Sequence, residues 1–397
     1  MTDLFSVMGT ILASILLGML AGVTPGLHPN LAASILPSMI QEPSIVLCIL
    51  VTMSAVHVVV DIIPNVLLGA PDAEHVMNIL PCHKMAEQGR SLDAIRISIL
   101  GTLAGVIGSC ILLPLVFIIL PLANSMIYPY LAYILLILTL VFILAEKTWT
   151  RKVWAILVFL LSGLLGTITL DHMQEPLLPL FSGLFALPGL LLSIRAKKII
   201  EKKQLQTTTN FTKLEPISTT LSWVGSIFSC AAITLLPSIT PAQSLFFVKP
   251  LARTTTQYIF LVSSIAGAEI IFSSVSAATL HKARNGVIAT LAEHVTLNTN
   301  TVVLIAALVL VVTSITTFLT LRLARELIPR MKNIQTRWAA GIVIVIIFFA
   351  TLFTSGMQGI ATLAVATALG LIPQSTGIAR THVMGVLMVP TLIRLFS

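Results

Sequence analysis

The chain has 397 residues, of which 56% are hydrophobic and only 10% are charged, whereas a soluble domain has about 25% charged residues. One buried core could not hide so much apolar surface, so an ordinary soluble protein is excluded. The apolar runs are continuous rather than alternating, which excludes an outer-membrane β-barrel and leaves membrane-spanning helices.

The net charge is +8, and the 23 Lys and Arg residues are spread over the ends of the apolar runs. This distribution is typical of membrane-orientation signals and not of a nucleic-acid surface. No two of the four cysteines form a Cys-x-x-Cys pair, so neither a disulfide framework nor a zinc ribbon is expected. The N-terminus has no basic residue before its apolar run, so we expect the first helix to be retained rather than cleaved as a signal peptide.

Twelve apolar stretches approach the roughly 20 residues that a membrane-spanning helix needs. Two shorter segments, Leu31–Met39 and Gln243–Val248, are bounded by proline and are too short to span, so they are predicted to be re-entrant or broken helices. The sequence therefore predicts an all-α polytopic integral membrane protein with about 10–12 transmembrane helices. The twelve stretches are Phe5–Val23, Ser44–Gly69, Ile97–Leu120, Pro129–Leu144, Val153–Leu170, Pro176–Ile194, Thr219–Leu236, Gln257–Leu280, Thr301–Leu321, Trp338–Phe353, Ile360–Ile372 and Val383–Leu395.

The longest polar connection, Arg195–Ser218, is rich in lysine and is therefore predicted to be cytoplasmic. The basic segments Lys147–Lys152 and Arg322–Arg337 are predicted to share its side, with an even number of spans between Arg195–Ser218 and Arg322–Arg337. The connection divides the chain into a first membrane repeat (residues 1–194), a basic linker (195–218) and a second membrane repeat (219–397).

Three landmarks recur in the same order in the two halves, as internal repeats in transporters do. Their separations differ between the halves, so coincidence is the alternative to two structurally repeated halves. The landmarks are Thr24-Pro25, Asp61-Ile62-Ile63 and His83-Lys84 in the first half, and Thr240-Pro241, Glu269-Ile270-Ile271 and His281-Lys282 in the second.

Polar side chains lie at helical spacing inside two spans. His57, Asp61 and Asn65 are one turn apart and so share a face. In the second half, Glu269 and Ser273 have the same spacing. Ionisable groups inside a membrane usually serve function, which predicts a polar lining that binds a coupling ion or the substrate. The alternative is a hydrogen-bonded cluster that only fixes helix packing.

Proline interrupts the chain just before each short helix. A half-helix that begins there presents unpaired N–H groups and the positive end of its dipole, which can bind an anion without an arginine. The alternative is an ordinary interfacial turn. If the two loops converge, the substrate-binding residues are Thr24, Pro25, Gly26, His28, Asn30, Thr240, Pro241, Gln243 and Ser244.

A third polar segment contains Asp72, Glu74, His75 and His83. It has no His-x-x-x-His, Glu-x-x-His or paired-cysteine spacing, so we expect no metal site and interpret the segment, with Asp72 as a further polar lining residue, as a gate or a capped loop. The sequence contains neither a Walker motif nor Gly-x-Ser-x-Gly, so we expect no ATP hydrolysis and no enzyme activity.

A set of short motifs occurs in order over most of the chain: Gly22-x-x-Pro25-Gly26, Leu36-Pro37, Gly69-Ala70-Pro71, Lys84, Gly89-Arg90, the glycines at 101, 105 and 108, Gly370-Leu371-Ile372-Pro373, Arg380-Thr381-His382 and Met384-Gly385. This collinear set resembles the large membrane subunit of the tripartite tricarboxylate transporters, in its shorter, archaeal branch. Where this chain has Leu27-His28-Pro29-Asn30, the bacterial members have a more Gly-rich loop.

The resemblance implies a multi-pass permease of the cell membrane that takes up a di- or tricarboxylate with Na⁺ or H⁺ as coupling ion and no other cofactor. It also implies, as partners in the bacterial systems, a small membrane subunit and an extracytoplasmic binding protein. Membrane lipids and a second copy of the chain are further expected partners, and nucleic acid is not. The alternative functions are translocation of a polyprenyl-phosphate lipid carrier, whose phosphate a half-helix would also hold, and a structural role in the membrane.

Overall fold

The computed structural model describes residues 4–24, 28–68, 81–82, 84–86, 88–173, 175–195, 212–237, 239, 241–331 and 336–397, and these residues form helices and connections without a strand. The predicted all-α polytopic membrane fold is confirmed. The helices are α1 (Leu4–Val23), α2 (Pro29–Met39), α3 (Pro43–Val60), α4 (Ile62–Leu68), α5 (Ser91–Ile127), α6 (Leu131–Leu144), α7 (Trp149–Leu170), α8 (Leu177–Phe181), α9 (Leu187–Arg195), α10 (Pro216–Leu235), α11 (Pro241–Val248), α12 (Thr255–Leu280), α13 (Gly286–His294), α14 (Thr299–Met331), α15 (Thr336–Thr376) and α16 (Gly385–Phe396).

Eight helical segments within the described ranges are long and apolar enough to cross a membrane. Two of them, Ser91–Leu144 and Ala340–Thr376, have 54 and 37 residues and exceed the roughly 20 residues of one crossing. Both are interrupted: Tyr128–Tyr130 forms a 3-10 turn, and Gly356 has φ 60° and ψ −154°, which a residue without a Cβ adopts at little cost. The turn overlaps the start of the predicted span Pro129–Leu144, and Gly356 lies between the predicted spans Trp338–Phe353 and Ile360–Ile372.

One end of the helix bundle is marked by Leu214, which directly precedes α10. Leu214 packs on a buried cluster that contains Ile95 near the start of α5, Ile259 near the start of α12 and Ile328 near the end of α14. We call this the linker end. Because Leu214 and Ile328 belong to the two basic segments predicted to share a side of the membrane, the structure agrees with that prediction.

Two pairs of neighbouring helices run parallel, which requires the chain between them to return through the bundle. Gly18 and Gly22 of α1 face Val56 and Val60 of α3, in that order. The pair α10 and α12 is parallel for the same reason: Gln257 donates to Ser218 over 2.5 Å and Ser226 donates to Ser264 over 2.6 Å.

The returning connections contain the short helices α2 and α11. At 1.5 Å per residue, their 11 and 8 residues cover only about 16 and 12 Å of a hydrocarbon layer about 30 Å thick. Extended residues flank them: His28 and Ile40 around α2, Leu236 and Ala252 beyond the ends of α11. The return paths are therefore broken, as the sequence predicts for both segments.

The two sets of helices have opposite directions. Ile62 of α4 lies in the linker-end cluster, so α1, α3 and α4 run towards that end, whereas α10 and α12 begin there. The starts of α1, α2 and α3 recur 212 residues later as the starts of α10, α11 and α12. This is the arrangement of an inverted-topology repeat. The boundaries of the two halves stay a prediction, because residues 196–211 lie outside the described residues.

A second group of packed helices also contains members from both halves of the chain. Val158 of α7, Leu184 before α9, Ala366 of α15 and Val386 of α16 share one buried cluster. Glu146, which follows α6, accepts hydrogen bonds from the backbone N–H of Ala379 at 2.8 Å and from Nε2 of His382 at 3.0 Å. Burial lowers the pKa of His382, against the opposing effect of its hydrogen bond and charge interaction with Glu146.

The direction of the helices leads to a labelling prediction. In a variant without native cysteines, single cysteines at Lys213 and Arg330 should react from the cytoplasmic side of intact cells only, and one at Lys282, which follows α12, from the outside only. Membrane-impermeant maleimide labelling measures this. If the cysteines introduced at Lys213 and at Lys282 reacted from the same side, the direction of α10 and α12 would be contradicted.

The Glu146 contacts lead to a stability prediction. Glu146→Ala removes two hydrogen bonds to a nearly buried carboxylate, each worth about 1.5–3 kcal/mol, and should lower the thermal midpoint in detergent by several degrees. The control is Asp171→Asn, which loses the exposed ion pair with Arg394 and should change stability by less than about 1 kcal/mol. Equal midpoints for the two variants would show that the Glu146 contacts are not stabilising.

Candidate functional site

The stripe His57, Asp61 and Asn65 lies on α3 and α4, and all three residues are 4% exposed. α3 ends at Val60 because Pro64 has no N–H to donate to its carbonyl. Asn65 Nδ2 donates to Asp61 Oδ2 at 3.4 Å, and the Asp61 N–H donates to the His57 carbonyl at 2.9 Å. Asp61 and Asn65 are thus joined through their side chains, and His57 lies one helical turn before Asp61.

The start of α2 contacts this stripe. His28 precedes Pro29, the first residue of α2, and its Nδ1 accepts from the backbone N–H of Asn30 at 3.2 Å. The His28 ring stands edge-on to the His57 ring, with 5.0 Å between centroids. Two groups of residues that the sequence singled out separately therefore meet.

A second half-helix, α13, begins at the same place. Asn285 caps it by accepting from the Val287 N–H at 3.0 Å, and the side chain of Asn30 packs on Gly286, where an added Cβ would lie 2.7 Å from Asn30 Oδ1. The N-termini of α2 and α13 are thereby neighbours. The sequence analysis assigned no role to α13; its only signal is the Asn-Gly pair at 285–286 that opens a short apolar run.

Ser273 positions the loop that leads into α13. Its Oγ accepts from the backbone N–H groups of Arg284 at 2.9 Å and Asn285 at 2.8 Å. Arg284 Nε donates to the Thr234 carbonyl at 3.1 Å, in the last turn of α10. Glu269, half-buried and one helical turn before Ser273, interacts electrostatically with Arg284. Arg284 was not recognised from the sequence, since it lies between spans and in no motif.

The start of α11 lies against the second helix group. Gln243 and Ser244 are buried, and Gln243 Nε2 is 3.3 Å from the Met388 sulfur of α16. α11 begins at Pro241, as α2 begins at Pro29. Each predicted half-helix thus has a described neighbour, but Asn30 packs on α13 and Gln243 on α16. The predicted convergence of the two loops stays a prediction.

Of the remaining residues that the sequence predicts for the site, some lie within the described part of the chain and others do not. Thr24 donates from its hydroxyl to the Leu20 carbonyl at 2.8 Å, so it extends the end of α1. Within the described ranges no group of three metal-ligating side chains occurs. Pro25, Gly26, Asp72 and Thr240, together with Glu74, His75 and His83, lie outside the described residues.

The helix bundle contains both hydrogen-bond donors that can bind an anion and carboxylates that can bind a cation. Two helix N-termini and the Arg284 guanidinium carry positive charge or its partial equivalent, while Glu269 lies halfway along α12 and Asp61 lies between α3 and α4. Broken helices that meet within an inverted bundle are typical of secondary transporters. Fold and site together therefore define a multi-pass membrane transporter.

The comparisons with known proteins name the family. The family model described as "Tripartite tricarboxylate transporter TctA family" matches residues 8–385, nearly the whole chain, and the chain belongs to this family. An uncharacterized protein of Methanocaldococcus jannaschii is 24% identical over 354 residues, which cover 87% of each chain. No solved structure matches. The expected family is confirmed, and with it a transporter in the cell membrane.

The two half-helix starts lead to a binding prediction. Asn30→Ala and Gln243→Ala should each weaken citrate binding to the purified protein about tenfold to a hundredfold, because a charge-assisted hydrogen bond is worth about 1.5–3 kcal/mol. Isothermal titration measures this, with Gln41→Ala, an exposed residue, as the control. Unchanged affinity in both variants of a citrate-binding protein would move the anion site elsewhere, with His57 as the next candidate.

Proposed function

We propose that this protein is a secondary active transporter for an organic anion of the di- or tricarboxylate class, driven by a gradient of Na⁺ or H⁺. The observation that carries the proposal is the meeting of Asn30 and Gly286, which brings the N-termini of two short helices together beside Arg284. Membership in the tripartite tricarboxylate transporter family supports it.

The physical argument is desolvation. A carboxylate that leaves water loses strong hydrogen bonds, and several donors must replace them. Helix N-termini supply backbone N–H groups whose dipole favours negative charge, and the side chains of Asn30, Gln243 and Ser244 add donors. A carboxylate can thus be held within the bundle at a tolerable cost.

The coupling ion needs a different site. Asp61 in the first half and Glu269 in the second are carboxylates inside spanning segments, where an ionised side chain is costly unless a cation or proton neutralises it. We propose that one of them takes the coupling Na⁺ or H⁺. Cotransport then follows if the carboxylate and the cation favour the same conformation.

The family also suggests partners. Tripartite systems combine the large membrane subunit with a small membrane subunit and an extracytoplasmic binding protein. We propose that this chain functions with such partners or together with a second copy of itself. The proposal includes no enzymatic step.

The test is uptake into proteoliposomes that contain the purified chain. Labelled citrate and succinate should accumulate when an inward Na⁺ or H⁺ gradient is imposed and should not accumulate without one. The same vesicles, with a fluorescent polyprenyl phosphate in one leaflet, test the alternative. Lipid translocation without carboxylate uptake would overturn the transport proposal and favour the lipid-carrier function.

Neutralising the coupling carboxylate should separate binding from accumulation. Glu269→Gln or Asp61→Asn should abolish gradient-driven accumulation and leave the thermal midpoint close to wild type, because the ion site is lost but the helix remains. Asp171→Asn, an exposed carboxylate beyond α7, is the control and should transport normally. Normal accumulation by either variant would assign that carboxylate to packing alone.

A further inference from the structure

Arg284 is a half-buried cation in the connection from α12 to α13. Its backbone N–H donates to Ser273, and its side-chain Nε donates to the Thr234 carbonyl. These two bonds fix the position of the guanidinium. In the described part of the chain, the two terminal amino groups of Arg284 make no hydrogen bond, so four of the five side-chain donors are available to a ligand.

The surroundings of Arg284 select an anion. Gly286, two residues further on, lies against Asn30 at the start of α2, so Arg284 closely precedes a helix whose N-terminus adjoins that of α2. Glu269 is a negatively charged group that interacts with Arg284. A guanidinium with free terminal donors matches the two oxygens of a carboxylate.

Glu269 is itself a carboxylate that can use those donors. It lies 14 residues after Thr255, halfway along the 26 residues of α12, and one turn before Ser273, which holds the Arg284 backbone. A substrate carboxylate and Glu269 would therefore compete for one guanidinium.

We propose that Arg284 binds the carboxylate group of the transported substrate between the N-termini of α2 and α13, and that this substrate group replaces Glu269 as the partner of Arg284. The proposal rests on the proposed transport function and identifies its anion-binding residue. Glu269, once displaced from Arg284, keeps its negative charge inside a spanning helix, where a proton or Na⁺ can neutralise it, and this links substrate binding to the coupling ion.

A structural role for Arg284 has a specific form that the experiment must separate. The Thr234 carbonyl lies in the last turn of α10 and has no partner within the helix, so Arg284 Nε caps α10. Arg284→Gln keeps an N–H donor but removes the charge. Arg284→Lys keeps the charge but removes the paired guanidinium donors that bind both oxygens of a carboxylate. The cap affects stability, whereas the charge affects anion binding.

The experiment is titration of citrate and succinate onto the purified full chain, with thermal midpoints for every variant. Arg284→Gln should lose at least a hundredfold in affinity and Arg284→Lys about tenfold, because lysine gives a point charge in place of a bidentate pair. Lys282→Gln is the matched control: it removes the same charge from the same loop, where Lys282 is exposed over the Tyr128 ring, and should bind as wild type.

Glu269→Gln tests the exchange. With its competitor gone, Arg284 should bind citrate at least as tightly as in the wild type, and the dependence of affinity on Na⁺ and pH should disappear. Wild-type affinity in a folded Arg284→Gln protein would overturn the inference and leave the transport proposal standing. Weaker binding in Glu269→Gln would overturn the exchange. A wild-type protein that binds neither probe would defeat the proposed function and this inference together.

Discussion

The backbone at the broken ends of α2, α11 and α13 must be satisfied inside the bundle, and this constraint organises the molecule. A helix N-terminus in hydrocarbon leaves N–H groups without water, and each costs several kcal/mol if it stays unpaired. His28 and Asn285 each satisfy one such group with a side chain. The other donors at these ends need a protein partner, water or a ligand. A fold with half-helices in the membrane therefore builds a binding site as a consequence of its backbone chemistry.

Most of the fold could be predicted because each spanning helix leaves a local signature in the sequence. Continuous apolar runs mark α1, α3, α7, α12 and α14, and proline bounds the two short helices. The positions of breaks were predictable for a similar reason, since Tyr128-Pro129-Tyr130 and Gly356 interrupt runs too long for one crossing. The relative direction of the two sets of helices could not be deduced in this way, because it depends on contacts such as that of Leu214 with the buried cluster that contains Ile328.

The site was predictable only where its residues share a helix face. His57, Asp61 and Asn65 follow helical spacing, so their alignment could be derived from the sequence alone. Arg284 and Gly286 could not be linked to Asn30, since about 250 residues separate them and no periodicity relates them. Their proximity follows from the inverted packing of the halves. Arg284 was also not predictable because it lies in the loop after α12, and only the hydrogen bonds of this loop to Ser273 hold it against the helix.

The two halves have one topology and different chemistry. If α3 and α4 are superposed on α12 by their common start, 212 residues apart, His57 corresponds to Glu269 and Asp61 to Ser273. In the first half the central position holds an imidazole that contacts the cap of α2, and the carboxylate lies one turn further on. In the second half the carboxylate is central, and the serine one turn further on holds the loop with Arg284. An inverted pair of identical halves would place like charges symmetrically about the centre. Because the two halves differ in sequence, Arg284 and the nearby Glu269 belong to the second half only. An anion and a cation can therefore occupy neighbouring sites in one bundle.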